Sequence, residues 1–300
     1  ISFSYIGYQK REIDFAFPSA HEQSVQILLK PEMEALEEIV VTATRTNSRI
    51  EDIPIRVEVS AGEELNEKDQ MRPANMSMLL SEATGIQPQQ TSATNGNVSI
   101  RLLGLDGKYT QLLKDGFPLY SGFAQGLSIM QIPPMDLKQV EVIKGSSSSL
   151  YGSDAIAGII NMVTKQPKEK GEASVLLNQT SLLGSDLNGY FAKRWKKIGF
   201  SILSANSLQQ AVDVNDDDFS DMPKTKTFTF NPKLYLYFNP TTTLWAGVNG
   251  TFDNRKGGDM KVVKDEQPDA NHQYFEGNIS RRISSQLKFD KTFAVNKPLT

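Results

Sequence analysis

The chain has 300 residues, a formal net charge of −3, no cysteine and two histidines. Without thiols it can build neither a disulfide framework nor a thiolate metal site, and His21 and His272 alone leave few metal or acid–base constellations. The near-neutral charge offers no basic face to nucleic acid, and no run of about 18 apolar residues supplies a membrane-spanning helix; alternating membrane strands escape that criterion.

Ile1, Phe3 and Tyr5 already alternate and no signal peptide precedes them, so the chain is expected to begin inside a domain. Residues 1–17 and Ser24–Lys30 read as strands of a small β-domain that buries little on its own. From Glu37 to Arg45 the composition is β-prone, with neither Gly nor Pro. Such a strand either closes the N-terminal domain or adds to the edge of another sheet. Ile53, Ile55, Val57 and Val59 alternate with polar residues as a half-buried strand.

A helix is expected from Met71, with Pro73 near its start; Met76, Leu79, Leu80 and Ala83 share one face and Gly85 caps the end. That spacing makes these methionines core residues rather than copper ligands. Strands follow at 98–103 and 109–114, punctuated by Asp106-Gly107 and Asp115-Gly116 turns. Gln87–Asn97 and Tyr120–Met130 read as irregular polar stretches. Val140 and Val142 then alternate with Gln139, Glu141 and Ile143; Gly145 and a run of serines interrupt, and Ile159–Thr164 is a second strand. Glycine and serine between two strands suggest a phosphate cradle, but the spacing fits neither the P-loop nor the dinucleotide fingerprint.

These residues, in this order, resemble the plug domain of TonB-dependent outer-membrane receptors. The likeness runs through Val140-Glu141-Val142-Ile143-Lys144-Gly145, Leu150-Tyr151-Gly152-Ser153-Asp154-Ala155 and Gly158-Ile159-Ile160-Asn161. Ala83-Thr84-Gly85-Ile86 and Leu113-Lys114-Asp115-Gly116-Phe117-Pro118 extend it upstream. Two positions depart from the pattern. Leu102 stands where an arginine–glycine pair is usual, which implies an altered internal arginine contact. Lys114 replaces an apolar strand residue, which implies a solvated face or an acidic partner. Ser4-Tyr5-Ile6-Gly7-Tyr8 is similar to the second half of a carboxypeptidase-regulatory-like β-sandwich, a module that precedes the plug in Bacteroidetes receptors; an unrelated hairpin is the alternative.

After Lys165 the pattern is periodic. Six segments alternate, with apolar faces at Ala173, Val175, Leu177; Leu187, Gly189, Phe191, Trp195; Ile198, Phe200, Ile202; Phe228, Phe230, Leu234, Leu236, Phe238; Leu244, Ala246, Val248, Phe252; and Phe275, Ile279, Ile283, Leu287, Phe289. Lys193 breaks the second. Tight turns at Lys196-Lys197, Asn239–Thr242 and Val295–Pro298 contrast with long polar loops at Ser207–Thr225 and Asp253–His272, the asymmetry of a transmembrane barrel. Segments of roughly 9 to 13 residues reach across the apolar band, and Trp195 and Phe238 fall where an aromatic girdle would sit. The loop from Asp213 to Asp221 is acidic enough to suggest calcium but lacks the glycine and glutamate of an EF-hand, so a solvated loop is the other reading. Plugged transporters have about 22 strands, so roughly 16 more are expected beyond Thr300.

The expected fold is therefore mainly β: residues 1–30 part of a β-sandwich, 31–50 a linker, 51–165 a small α+β plug, and 166–300 the first strands of a transmembrane antiparallel β-barrel that encloses it. The resemblance implies an outer-membrane receptor, with its N-terminal segment in the periplasm, that imports a ferric siderophore, haem, cobalamin or other metal complex using proton-motive force. It implies strand pairing with TonB at Glu38, Ile39, Val40, Val41, Thr42, Ala43 and Thr44, and cargo contacts at Gln89, Gln90, Tyr120, Phe123 and Gln125, unless those loops only fill the barrel lumen. Beyond TonB and its inner-membrane energising complex, it implies contact with outer-membrane lipid and a surface lipoprotein as partner. No catalytic residue, cofactor or resident metal is expected. The alternative is a surface receptor, adhesin or glycan-binding protein without active transport.

Overall fold

The computed structural model describes residues 2–5, 8–12, 40–41, 48–49, 57–62, 65, 76–92, 94–119, 131–146, 151, 155–264 and 267–292. Residues 1–40 and 41–300 form separate compact units. In the first, β1 (Ser2–Tyr5) and β2 (Tyr8–Glu12) are antiparallel, with Ser2 opposite Glu12. The strand expected at 24–30 lies outside the described residues. β3 (Val40–Val41) and β4 (Ser48–Arg49) make a small sheet of their own.

The plug is built on a mixed five-stranded sheet whose order is β5 (Val57–Ala61), β10 (Leu137–Lys144), β11 (Gly158–Thr164), β8 (Thr110–Lys114) and β9 (Phe117–Pro118). β10 and β11 are antiparallel, Val142 opposite Ile160, whereas β11 and β8 run parallel. Because β10 and β11 are central, both of their faces are covered, so the polar positions Gln139, Glu141 and Asn161 are buried alongside the valines and isoleucines. Such buried groups need partners. Gln139 Nε2 donates to Glu141 Oε1 at 2.8 Å, and Asn161 Nδ2 donates to Glu141 Oε2 at 2.9 Å.

Helix α1 (Met76–Ser81) lays Met76, Leu79 and Leu80 on the sheet. It stops at Ser81, before the expected cap. Gly85, at φ +77°, instead turns the chain into β6 (Ile86–Gln90), where its left-handed backbone costs little. β6 pairs with β7 (Val98–Leu102), Ile86 opposite Leu102. Gln87–Gln90, expected to be irregular, are held in β6 by the backbone ladder without any apolar alternation. Leu102 is fully buried in the plug core, so this departure from the family pattern supplies apolar packing.

The second sheet is an antiparallel meander: β12 (Glu172–Gln179), β13 (Gly184–Trp195), β14 (Ile198–Gln209), β15 (Lys224–Asn239), β16 (Thr242–Gly258) and β17 (Phe275–Lys291). Every strand pairs with its neighbour in sequence, and the barrel is not closed in this chain. Its sidedness is inverted relative to a water-soluble sheet. Val175, Leu177, Phe191, Leu234, Ile279, Ile283 and Leu287 are exposed, while Asn188, Ser201, Thr229, Asn231, Lys233, Asp253 and Arg255 are buried beneath them. The parity expected from the sequence holds throughout. The lengths of two strands differ: β15 and β16 run to 16 and 17 residues rather than 9 to 13, whereas β17 lies within the long segment expected from about Gln273 to Phe293. Backbone pairing continues past the apolar stretch into positions such as Lys226 and Asn254, which pair with each other and need no apolar face. The long loops shrink accordingly to 210–223 and 259–274, and the second contains helix α2 (Met260–Val263).

Gly158 marks where the plug sheet tolerates least change. Its φ is +151°, and an added Cβ would overlap the Ile143 carbonyl oxygen and lie 2.7 Å from Leu102 Cδ2. Gly158→Ala is expected to destabilise the plug by roughly 3 kcal/mol, read as a lower urea midpoint for loss of the plug's protease resistance. Gly189→Ala, where nothing lies within 4 Å, should leave that midpoint unchanged.

Candidate functional site

A turn in the plug carries the contact that fixes plug to barrel. Asp115 (φ +54°) and Gly116 (φ +82°) join β8 to β9, the Asp-Gly pair that a tight hairpin favours. The turn leans back on β11: Asp115 N–H donates to Met162 O at 2.9 Å and Gly116 N–H to Asn161 Oδ1 at 3.0 Å. One Asp115 oxygen accepts from Thr164 N–H at 2.8 Å and from Thr164 Oγ1 at 2.9 Å. The other meets Lys233, which reaches inward from the middle of β15. Lys233 Nζ also donates to Thr164 Oγ1 at 2.6 Å and lies 4.9 Å from the centre of the Trp245 ring. Phe117 packs edge-on against the same tryptophan at 5.9 Å. The Lys233 and Asp115 side chains are 3% and 9% exposed.

A second pair lies beside it. Lys114 Nζ contacts Asp136 Oδ2 at 3.0 Å, with both side chains 5% exposed. With its amide turned to suit its neighbours, Asn231 of β15 accepts from Lys114 Nζ at 3.2 Å and donates to Asn249 Oδ1 at 3.2 Å. The acid partner implied by the unusual Lys114 is thus Asp136, and the face is buried rather than solvated. On the far side of the plug, Glu58 clasps the edge strand β5: one oxygen pairs with Lys144 and the other accepts from Thr84 N–H at 3.2 Å.

The β6–β7 hairpin rises to the end of the sheet that bears the long loops. Its tip meets Glu276 at the start of β17, and Pro223, at the end of the 210–223 loop, sits against Gly96. Gln89 and Gln90 are exposed on the same hairpin, and Gln90 Nε2 donates to Ser92 O at 3.2 Å. A groove lined by Ser81, Ile86, Gln87, Pro88, Gln89 and Arg101 runs along its flank. Tyr120, Phe123 and Gln125 lie outside the described residues, as do Glu38, Ile39, Thr42, Ala43 and Thr44; Val40 and Val41 form β3.

In the acidic loop the carboxylates turn back on their own backbone. Asp213 accepts from the N–H groups of Asp217 and Asp218, Asp217 from that of Phe219, and Asp221 from that of Val214. Among the described residues no group of three or more His, Asp or Glu side chains is placed to hold a metal ion. In the sequence Asp115 stands out only as a turn residue, and nothing local marks Asp136, Thr164, Ser92, Asn95 or Glu276. A lysine at the middle of the most regular alternating strand was the available signal.

The two sheets together define a plugged β-barrel of the outer-membrane receptor type. Comparison with known proteins agrees. Residues 49–159 match the family described as TonB-dependent Receptor Plug Domain. The vitamin B12 transporter BtuB of Vibrio vulnificus strain CMCP6 is 32% identical over 152 residues, which cover 51% of this chain and 24% of that protein. BtuB of Photobacterium profundum is 26% identical over 192 residues, covering 61% and 31%. Among solved structures, the ferric enterobactin receptor PfeA of Pseudomonas aeruginosa superposes with a TM-score of 0.56 at 17% identity, covering 76% of this chain and 37% of that one. The ferric yersiniabactin uptake receptor FyuA of Yersinia pestis gives 0.57 at 19% identity, covering 68% and 32%. At these identities the structural likeness is one of fold. Over residues 49–159 the chain thus matches the plug domain of TonB-dependent receptors. It spans a quarter to a third of the length of these vitamin B12 transporters.

The buried pair dictates a response to mutation and to pH. Lys233→Ala leaves a buried carboxylate unpaired and is expected to destabilise the seated plug by about 3–5 kcal/mol; Lys233→Met combined with Asp115→Asn should restore most of that. Burial acts to raise the Asp115 carboxyl, but the Lys233 ammonium, helped by the Thr164 amide and Lys114, outweighs it and holds the group below its ordinary 3.8. A depressed value contributes stability above the unfolded value and loses it as pH falls through the folded one. Protease resistance of the plug should therefore be flat from about pH 8 to 5 and fall below about pH 4, and Asp115→Asn should remove that component of the fall.

Proposed function

We propose that the protein is an active importer of the outer membrane: cargo binds at the long-loop end of the plug, and TonB pulls on the chain that precedes it. The observation that carries this reading is a family plug domain seated, through the buried Asp115–Lys233 pair, against a sheet with an apolar outer face and a polar inner face. Such a sheet suits lipid outside and a filled lumen inside. The long loops then face the exterior, the short turns face the periplasm, and exposed Trp195 and Phe238 sit at the periplasmic rim as interfacial aromatics. No covalent chemistry is required of the chain.

The segment Glu38–Thr44 serves as the coupling strand. It enters a sheet edge of TonB, and proton-motive force acting through the inner-membrane complex tugs it away from the barrel. Cargo is a metal complex or corrinoid, the class suggested by relatives whose names include vitamin B12, ferric enterobactin and ferric yersiniabactin. Gln89 and Gln90, with Tyr120, Phe123 and Gln125, are its proposed contacts.

Proline at position 41 removes a backbone donor from the coupling strand and leaves the cargo site untouched. In cells that carry the full-length protein as their only importer, Val41→Pro should abolish energised uptake of radiolabelled cyanocobalamin or ferric enterobactin while surface binding is retained. Undiminished uptake by that variant would remove the coupling role from this segment. Uptake that also persists without TonB would favour a receptor of another kind.

A further inference from the structure

The loop at the plug apex is closed on itself. Thr91 N–H donates to Asn97 O at 2.8 Å, Asn97 N–H to Asn95 Oδ1 at 2.9 Å and Asn95 N–H to Ser92 Oγ at 3.2 Å. A carboxylate of the barrel fastens it. Ser92 Oγ donates to one oxygen of Glu276 at 2.7 Å, and Asn95 Nδ2 donates to the other at 2.9 Å. Hydrogen bonds to an ionised acceptor are about twice as strong as neutral ones. The contact joins positions 181 and 184 residues apart in the chain.

Gly257, opposite Glu276 in the β16–β17 ladder, completes the seat. A Cβ at that position would overlap Thr94 O and lie 2.8 Å from its carbonyl carbon, so the apex backbone occupies the space a side chain would take. Asn95 and Asn97 are buried at 4% and 8% exposure, whereas Gln89 and Gln90 beside them are exposed. Gln90 Nε2 is itself held by Ser92 O at 3.2 Å. The chain of contacts therefore runs from Glu276 through Ser92 to Gln90. Gln89 and Gln90, the exposed glutamines at this end of the hairpin, carry no charge and offer their amides to the amide, carbonyl and hydroxyl groups of a cargo.

We infer that Glu276 is the positioning residue of the cargo site: its carboxylate holds loop 91–97 against the Gly257 seat and so fixes the amides that meet a polar, hydrogen-bonding cargo. This rests on the import reading above. Cargo that pushes on the apex acts directly on the Glu276 contacts, and the hold sets affinity rather than the energised step.

Full-length protein purified in detergent tests this with cyanocobalamin and ferric enterobactin as separate probes. For whichever probe the wild type binds, Glu276→Ala should weaken binding roughly 10- to 100-fold, while the maximal uptake rate at saturating probe stays the same in cells. Gly257→Ala keeps the charge and wedges the loop out; it should weaken binding comparably. Ser92→Ala with Asn95→Ala should do the same and add little to Glu276→Ala, as expected for one shared interaction. Hydrogen exchange at the Thr91, Asn95 and Asn97 amides should rise in Glu276→Ala while the β15 and β16 amides are unmoved. Wild-type probe affinity in Glu276→Ala, or unchanged exchange at the loop amides, overturns the inference. A wild type that binds a probe but shows no TonB dependence leaves this inference standing and overturns the import reading instead.

Discussion

The architecture hangs on a buried contact between Asp115 and Lys233. A carboxylate at a hairpin tip and an ammonium from the middle of a barrel strand are both taken out of water, and each is stable only because the other is there. Thr164 shares both partners and stands at the end of β11, the last strand of the plug. One cluster thus ties together the β8–β9 turn, the hand-over from plug to barrel, and the barrel wall. The neighbouring Lys114–Asp136 pair and Asn231 repeat the arrangement a residue away. Polar contacts of this kind fix one geometry, and they can be broken and remade without the apolar surface exposure that separating two packed cores would require.

The plug itself is held unevenly. β10 and β11 sit inside the sheet with covered faces, while β5 is an edge strand, held by the Val57–Ala61 ladder and the Glu58 clasp. β5 follows the proposed coupling segment in sequence, so tension applied there reaches an edge strand before it reaches the centre of the sheet. At the other end, Glu276 and Gly257 seat the apex on the barrel rim. On the proposed import reading, cargo and tension act at separate places on the plug, the β6–β7 apex and the β5 edge.

Much of this was legible in the residues. The barrel parity was readable strand by strand, because period-two alternation records which face meets lipid and which meets the plug. The residues of β10 and β11 were readable because their motif is long and ordered. The β6 strand was not. Ile-Gln-Pro-Gln-Gln has no alternation, and its pairing with β7 is a backbone matter decided by tertiary context. The ends of β15 and β16 were missed for the same reason. Pairs such as Asp115 with Lys233 and Glu276 with Ser92 join residues more than a hundred positions apart, and nothing local signals them. Lys114 was the exception, since a lysine in an otherwise apolar strand calls for an acid, and Asp136 supplies it.

The chain contains no cysteine, which permits a direct test of whether the plug opens under tension. Val142, 2% exposed and facing Glu58 of β5 in the ladder, can be replaced by cysteine with little change in volume. Cells carrying Val142→Cys in an otherwise cysteine-free full-length protein are treated with a thiol reagent in the presence of cyanocobalamin or ferric enterobactin. Opening of the plug under tension requires that labelling depend on cargo, TonB and an intact proton-motive force together, and stop when any one is withdrawn. Equal labelling in cells without TonB, or a thiol that stays protected during active uptake, would contradict it.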